Sequence, residues 1–250
     1  MKRILLISLL LLAICLTTDA QSSRRRALMA QRASTACATS DTTEPHDTLL
    51  EGWQTGAGEN TWTNIGDTAK MDIIDTSSLT TGKPAGACDK SFVVTNGTDG
   101  VEAFKLWDNG SAIVTSSTAL DVVQWVYVHT APGNNDVFVI ATANNNVSTV
   151  TASPVFDMLL RNNAGTLEVG VGASAATAIY TNITVSTWTR VQVHVDTLAA
   201  NSYFTVNSGD QLGFVNVNTS ARYFRIGGVS SVDANDTGTY LFDLTCLNTP

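Results

Sequence analysis

Residues 186–210, STWTRVQVHVDTLAANSYFTVNSGD, decide the fold. Val191, Val193 and Val195 fall on one side of an extended chain and Arg190, Gln192 and His194 on the other, because successive strand side chains point to opposite faces. After a soft corner at Ala199-Ala200-Asn201 the alternation resumes from Tyr203 to Val206. This pattern predicts a β-hairpin with one dry face and one wet face, the habit of antiparallel sheets packed on one side only. The wet face is where a ligand can meet the sheet.

Working outward, the same punctuation recurs. Strand-like runs are expected at 49–53, 71–74, 91–95, 101–107, 120–129, 136–142, 155–161, 166–171, 189–196, 202–206, 211–217, 223–226 and 240–247. They are separated by Gly, Asn, Asp, Ser and Pro, and regularly spaced short strands of this kind signal a β-sandwich or barrel. No apolar 3.6-residue period is sustained over three turns, so an all-β domain follows. Aromatic residues are only 7% of the chain, so Val, Ile, Leu and Ala must supply most of the core.

The N-terminus reads differently. Lys2 and Arg3 precede an apolar run from Ile4 to Leu16 and small residues at Thr18-Asp19-Ala20, the layout of a secretory signal peptide over residues 1–20. Residues 21–47 lack apolar periodicity and read as a flexible tail or propeptide, leaving 48–250 as a single domain. Secretion to an extracellular or cell-surface location is expected. Cleavage leaves Cys37, Cys88 and Cys246, an odd number for an oxidising compartment. Cys88 and Cys246 both flank strand-like runs and are the expected disulfide, while Cys37 lies in the tail. Asn-x-Ser/Thr sequons at Asn96, Asn109, Asn146, Asn182, Asn218 and Asn235 fall in or beside expected turns and are candidate N-glycosylation sites.

The formal net charge of −8 argues against nucleic acid or an anionic membrane as partner of the mature chain, since both demand a basic stripe. For carbohydrate, the useful groups are aromatic rings that stack on sugars and planar amide or guanidinium groups that fork onto hydroxyls. Trp125, Tyr127 and His129 alternate on one strand, and Arg190, Gln192 and His194 on another. If both strands line one sheet face, these six make a glycan surface. Filling of the core by Trp125 and Trp188 is the competing reading. Trp53 and Trp62, flanking Gly56-Ala57-Gly58, are alternative stacking rings. His46, His129 and His194 show no zinc-ligand spacing, and Gly172-Ala-Ser-Ala-Ala lacks the last glycine of a nucleophile elbow.

The 186–210 stretch, followed by YFRIGG and ending in GTYLFDLTCL, resembles the second half of a concanavalin A-like (laminin G-like) jelly roll, and GWQTGAGENTW resembles its opening strand and loop. The resemblance spans roughly 49–247 and implies a two-sheet antiparallel sandwich. Such domains often carry a structural Ca²⁺, which the resemblance would place at Glu51 and Asp243; it needs oxygen ligands at roughly 2.3–2.6 Å. The family's glucanase branch carries Glu-x-Asp-x-x-Glu on one strand, to hold two carboxyls about 5–5.5 Å apart. Here KMDIID offers Lys70, Asp72 and Asp75, and a lysine cannot form the glycosyl ester. The expectation is therefore a non-catalytic module, not an enzyme, that binds glycans or a cell-surface component. A surface-layer or filament subunit self-assembling through its N-terminal tail is the alternative, and a glycoside hydrolase or lyase the third reading.

Overall fold

The computed structural model describes residues 48–49, 62–83, 90–96, 101–114, 119–133, 137–145, 154–196, 201–216, 218, 220–230 and 238–248. They form fifteen strands: β1 Thr48–Leu49, β2 Trp62–Gly66, β3 Met71–Asp75, β4 Lys90–Asn96, β5 Ala103–Val114, β6 Leu120–Thr130, β7 Val137–Asn144, β8 Phe156–Asn163, β9 Thr166–Gly172, β10 Ile179–Asn182, β11 Trp188–Val195, β12 Tyr203–Val206, β13 Leu212–Gly213, β14 Ser220–Ser230 and β15 Gly238–Asn248. A 3-10 turn, Thr68–Lys70, is capped by the Asp67 side chain.

The strands pair antiparallel in two sheets. One runs β13-β12-β11-β6-β15-β4-β3 with β1 also on β15, and the other β10-β9-β8-β7-β14-β5-β2. The chain is thus an all-β, two-sheet jelly roll, as expected. Phe92, Val126, Val193, Phe204, Tyr240 and Phe242 of the 8-stranded sheet face Phe138, Phe156, Leu160, Phe224 and Ile226 of the 7-stranded sheet. The rings of Phe138 and Tyr240 meet across the interface at 4.7 Å. Each such residue, fully buried, contributes roughly 1.5–3 kcal/mol.

The opening hairpin forms with the expected faces. Val191 pairs with Val206 and Val193 with Phe204, and all four lie in or against the core. Two strands were not legible: β2, whose Trp62 is buried in the core rather than flanking a loop, and the four-residue β10. The run at 101–107 continues to Val114 through Asp108-Asn109-Gly110, which reads as a turn. The Asp108 carboxylate does cap Gly110 N–H at 2.8 Å, but the register with β14 absorbs the local twist as a bulge between Ala221 and Tyr223.

A strap of chain, 76–83, crosses the outer face of the 8-stranded sheet. Trp188 fastens it: its indole Nε1–H donates to Leu79 O at 2.8 Å, and its backbone N–H donates to Thr81 O at 2.9 Å. Under the strap lie Val93, Val123, Trp125, Tyr127, Leu241 and Cys246. Replacing Trp188 with Ala should cost about 3–5 kcal/mol, read as a lower urea midpoint; a loss below about 1 kcal/mol would show that the strap holds without it.

Candidate functional site

Strand β14 sends Phe224 and Ile226 into the core, so the pleat points Tyr223 and Arg225 out of the opposite face of the 7-stranded sheet. By the same parity β7 presents Thr142 and Asn144 there, and β8, between inward-facing Phe156 and Met158, presents Asp157. Register then joins them. Thr142 pairs with Asp157 on one side and with Arg225 on the other, and Asn144 pairs with Tyr223. With strands about 4.8 Å apart, the Asp157 and Arg225 backbones lie ~10 Å from each other across Thr142, within reach of an arginine side chain.

All five side chains are buried, Asp157 to 2% exposure and Arg225 to 1%. Arg225 Nη1 donates to Asn144 Oδ1 at 2.7 Å, and its guanidinium lies 5.7 Å from the centroid of the Tyr223 ring. Arg222 covers the same ring at 5.0 Å while gripping Asp108 through two hydrogen bonds, 2.6 and 2.8 Å. Among the described residues nothing donates to Asp157 Oδ1.

Burial pushes the Asp157 carboxyl up to about 7, against the opposing pull of the Thr142 hydroxyl and the Arg225 charge. Burial likewise lowers the Arg225 pKa, opposed by Glu102, Tyr223 and Asp157, and raises that of Glu102, opposed by Arg225. A carboxyl titrating near neutrality can accept and return a proton at working pH. The guanidinium beside it is a planar fork for an anion. The sequence reading passed over this row because a charged residue between two apolar ones in a strand, as in Phe156-Asp157-Met158 and Phe224-Arg225-Ile226, ordinarily means a solvent face. Three polar residues opposite one another across β8, β7 and β14 would have been the signal, and register is not written in any one strand.

The six expected ligand residues do share a face, the outer face of the 8-stranded sheet. Arg190 pairs with Trp125, Trp188 with Tyr127 and His194 with Asp121. Trp125 and Tyr127 are only 8% and 5% exposed, because their rings are taken up by the cluster with Trp188 under the strap, so they do not stand ready for a sugar. His129 is exposed, and Arg190, Gln192 and His194 are half-buried.

Asp243 is buried and accepts a hydrogen bond from Ser91 Oγ at 3.1 Å. Glu51, its expected Ca²⁺ partner, lies outside the described residues, as do Cys88, Cys37, Trp53 and His46. Among the described residues no three His, Cys, Asp or Glu side chains form a metal-ligating group. Cys246 is buried against Val93, Val123 and Leu241. Lys70, Asp72 and Asp75 belong to the edge of the sheet, on or beside β3. Asn109 and Asn182 are exposed and Asn96 and Asn218 half-buried; Asn146 and Asn235 fall outside the described residues.

No protein-family model matches the chain, and no curated protein does. Solved structures do share the sandwich. A carbohydrate esterase from the Shiga toxin-encoding bacteriophage phi24B matches at TM-score 0.58 and 10% identity, over 80% of this chain and 97% of that one. A cellulose-induced protein, Cip1, matches at TM-score 0.50 and 14% identity, over 79% and 95%. An alginate lyase of Polysaccharide Lyase family 7 matches at TM-score 0.48 and 14% identity, over 64% and 78%. At such identities the likeness establishes the fold alone. Alginate lyases nevertheless recur among the matches. The expectation of a non-catalytic glycan or attachment module, with its filament alternative, and the expectation that the chain is not an enzyme are corrected: a sandwich shared with a carbohydrate esterase at TM-score 0.58 gives no ground for setting catalysis aside. The missing carboxylate pair, nucleophile elbow and zinc spacing address only glycosidases working through two carboxyls, serine nucleophiles and zinc enzymes.

The Asp157 carboxyl keeps its proton to about pH 7 when folded and releases it near 3.8 when unfolded. Between those values the folded state binds more protons, so this group's stabilising contribution is full below pH 3.8 and is lost as pH rises through 7. Wild-type stability should therefore fall from pH 5 to pH 8 more steeply than that of Asp157→Asn, measured by urea midpoints at both pH values; parallel slopes would remove the raised Asp157 from the account.

Proposed function

We propose that the protein is a secreted enzyme with a concanavalin A-like domain over residues 48–250, and that it cleaves an acidic, uronate-containing polysaccharide by β-elimination. The observation that carries the reading is the buried row Asp157, Thr142 and Arg225 on the 7-stranded sheet. The shared sandwich of carbohydrate-acting proteins supports a glycan as partner, and the N-terminal apolar run supports secretion.

The choice of reaction follows from the charges. A hydrolase of the two-carboxyl type opposes one carboxyl with another. Here a guanidinium opposes the carboxyl, an arrangement suited to a substrate that brings its own carboxylate. Arg225, steadied by Asn144, would neutralise the uronate carboxylate and so acidify the proton on the adjacent carbon. The Asp157 carboxylate takes that proton. The electron pair left behind forms the C4=C5 double bond as the C4–O glycosidic bond breaks, and protonated Asp157 returns the proton to the departing oxygen.

The test is ultraviolet absorbance of the unsaturated product during incubation with alginate and with pectate. Wild type should generate the absorbance on at least one polymer, and Asp157→Asn should lower kcat by about 10²–10⁴-fold, the worth of a positioned general acid–base. Arg225→Lys should lose the two-pronged grip and weaken kcat/KM. Chain shortening without unsaturated ends, or an Asp157→Asn enzyme as fast as wild type, would sink the proposal.

A further inference from the structure

Asp157 has a neighbour on the β9 side that bears no side chain. Val169 and Val171 of β9 lie in the core, so the pleat turns Glu168, Gly170 and Gly172 to the outer face of the 7-stranded sheet, where Gly172 pairs with Asp157 and Gly170 with Leu159. Both glycines are floors for another part of the chain. A Cβ on Gly172 would stand 2.5 Å from Ala178 Cα, and one on Gly170 2.5 Å from the Tyr180 ring. Side chains directly opposite on paired strands stand roughly 4.5–5.5 Å apart at Cβ, so the backbone at Ala178 lies beside the Asp157 side chain.

The segment that delivers Ala178 is Ala173-Ser174-Ala175-Ala176-Thr177, the run that falls short of a nucleophile elbow. It folds back as a turn: Ser174 O accepts from the Thr177 and Ala178 N–H groups at 3.2 and 2.9 Å, and the Ser174 and Thr177 hydroxyls meet at 3.0 Å. Ala175 and Ala178 pack against the cluster of Phe104, Val139, Leu159 and Val229. Tyr180 fastens the turn. Its ring lies on Gly170 and its hydroxyl donates to Ala175 O at 3.3 Å. Arg161, gripped by Glu168 at 2.6 Å, stacks on the same ring with its guanidinium 3.7 Å from the centroid. Burial raises the Tyr180 phenol above its ordinary value, so the hydroxyl remains a donor through neutral pH.

We infer that Tyr180 is a positioning residue for the proposed reaction: by tying residues 173–178 down on the glycine floor of β9, it sets a wall beside Asp157 that keeps water from the carboxyl. This rests on Asp157 as the acid–base group. Tyr180 stands two strands away, on β10, and acts through Ala175 and Ala178. The charged and titratable groups around the carboxyl include Arg161 on β8, Glu168 on β9, Tyr180 on β10, Tyr223 and Arg225 on β14, and Glu102 just before β5. The Arg225 charge favours loss of the Asp157 proton, and burial outweighs it. Loosening the wall admits water, which favours the carboxylate, so the Asp157 midpoint falls from about 7 toward its ordinary value.

The test is a carbon-13 NMR titration of the Asp157 carboxyl in the full chain, its resonance assigned by its loss in Asp157→Asn. Wild type should titrate near 7. Tyr180→Ala, which removes ring and hydroxyl, and Gly172→Ala, which drives a methyl into Ala178, should each lower the midpoint by at least about one pH unit, a tenfold loss of proton affinity. Tyr180→Phe keeps the ring and should fall between them and wild type. Trp188→Ala, which loosens the opposite sheet, should leave the midpoint unmoved, separating a local effect from general destabilisation. The low-pH limb of kcat for release of unsaturated product should move with the midpoint, because the base must be ionised. If Tyr180→Ala does not fold by circular dichroism, Tyr180→Phe and Gly172→Ala decide. A wild-type midpoint in the ordinary carboxylate range, variants that all titrate with wild type, or an equal fall in Trp188→Ala overturns the inference and leaves the release of unsaturated product to be judged by itself. A midpoint that falls as expected in a protein yielding no unsaturated product upholds the wall and rejects the reaction.

Discussion

Two sheets can bury a common core only if every strand turns its apolar side chains the same way, and the period-two pleat then commits each neighbouring residue to the opposite side. In this protein Phe138 against Tyr240, with Phe92, Phe156, Phe204 and Phe242 around them, fixes that parity for both sheets. Once Phe224 and Ile226 are inside, Tyr223 and Arg225 are outside; once Val191, Val193 and Val195 are inside, Arg190, Gln192 and His194 are outside. A one-residue slip would exchange the two sets, so the same constraint that builds the core also assembles the polar rows.

The outer faces are then treated differently. On the 8-stranded sheet the strap buries one half, and Trp188 satisfies its indole N–H by tying that strap down. The buried polar groups there are well matched: Ser91 Oγ donates to Asp243 Oδ2 and lies 3.0 Å from Thr76 Oγ1. On the 7-stranded sheet Asp157 is buried with an oxygen that no described residue serves. A buried carboxyl left in that state responds by holding its proton, at a cost to stability once the solution is basic enough to remove it. Proteins tolerate such a cost at sites that act on ligands more readily than in scaffolding.

The contrast also explains why charge type, more than fold, directs the functional reading. A jelly roll hosts many unrelated activities, and the solved structures sharing this one range from a carbohydrate esterase to a cellulose-induced protein. What narrows the chemistry is that Asp157 faces Arg225 across Thr142 and not a second carboxylate. The missing Glu-x-Asp-x-x-Glu motif speaks against one reaction class, hydrolysis through two carboxyls, and leaves other cleavage chemistry open.

The sequence by itself determined the all-β class and the inner face of the 189–196 strand, because alternation is a local property that Val191, Val193 and Val195 display without help from any other part of the chain. It set Trp125, Tyr127 and His129 on one side of their strand and Arg190, Gln192 and His194 on one side of theirs; that the two strands pair, and so put all six on one face, was decided by the tertiary structure. Tertiary structure alone decided that Trp125 and Tyr127 are covered, because a strap more than a hundred residues before Trp188 lies across them. It alone decided that Asp157, Thr142, Arg225 and Asn144 meet, because their proximity depends on the register of three strands distant in sequence. Alternation is written residue by residue, but coverage and register arise only when separate segments close on one another.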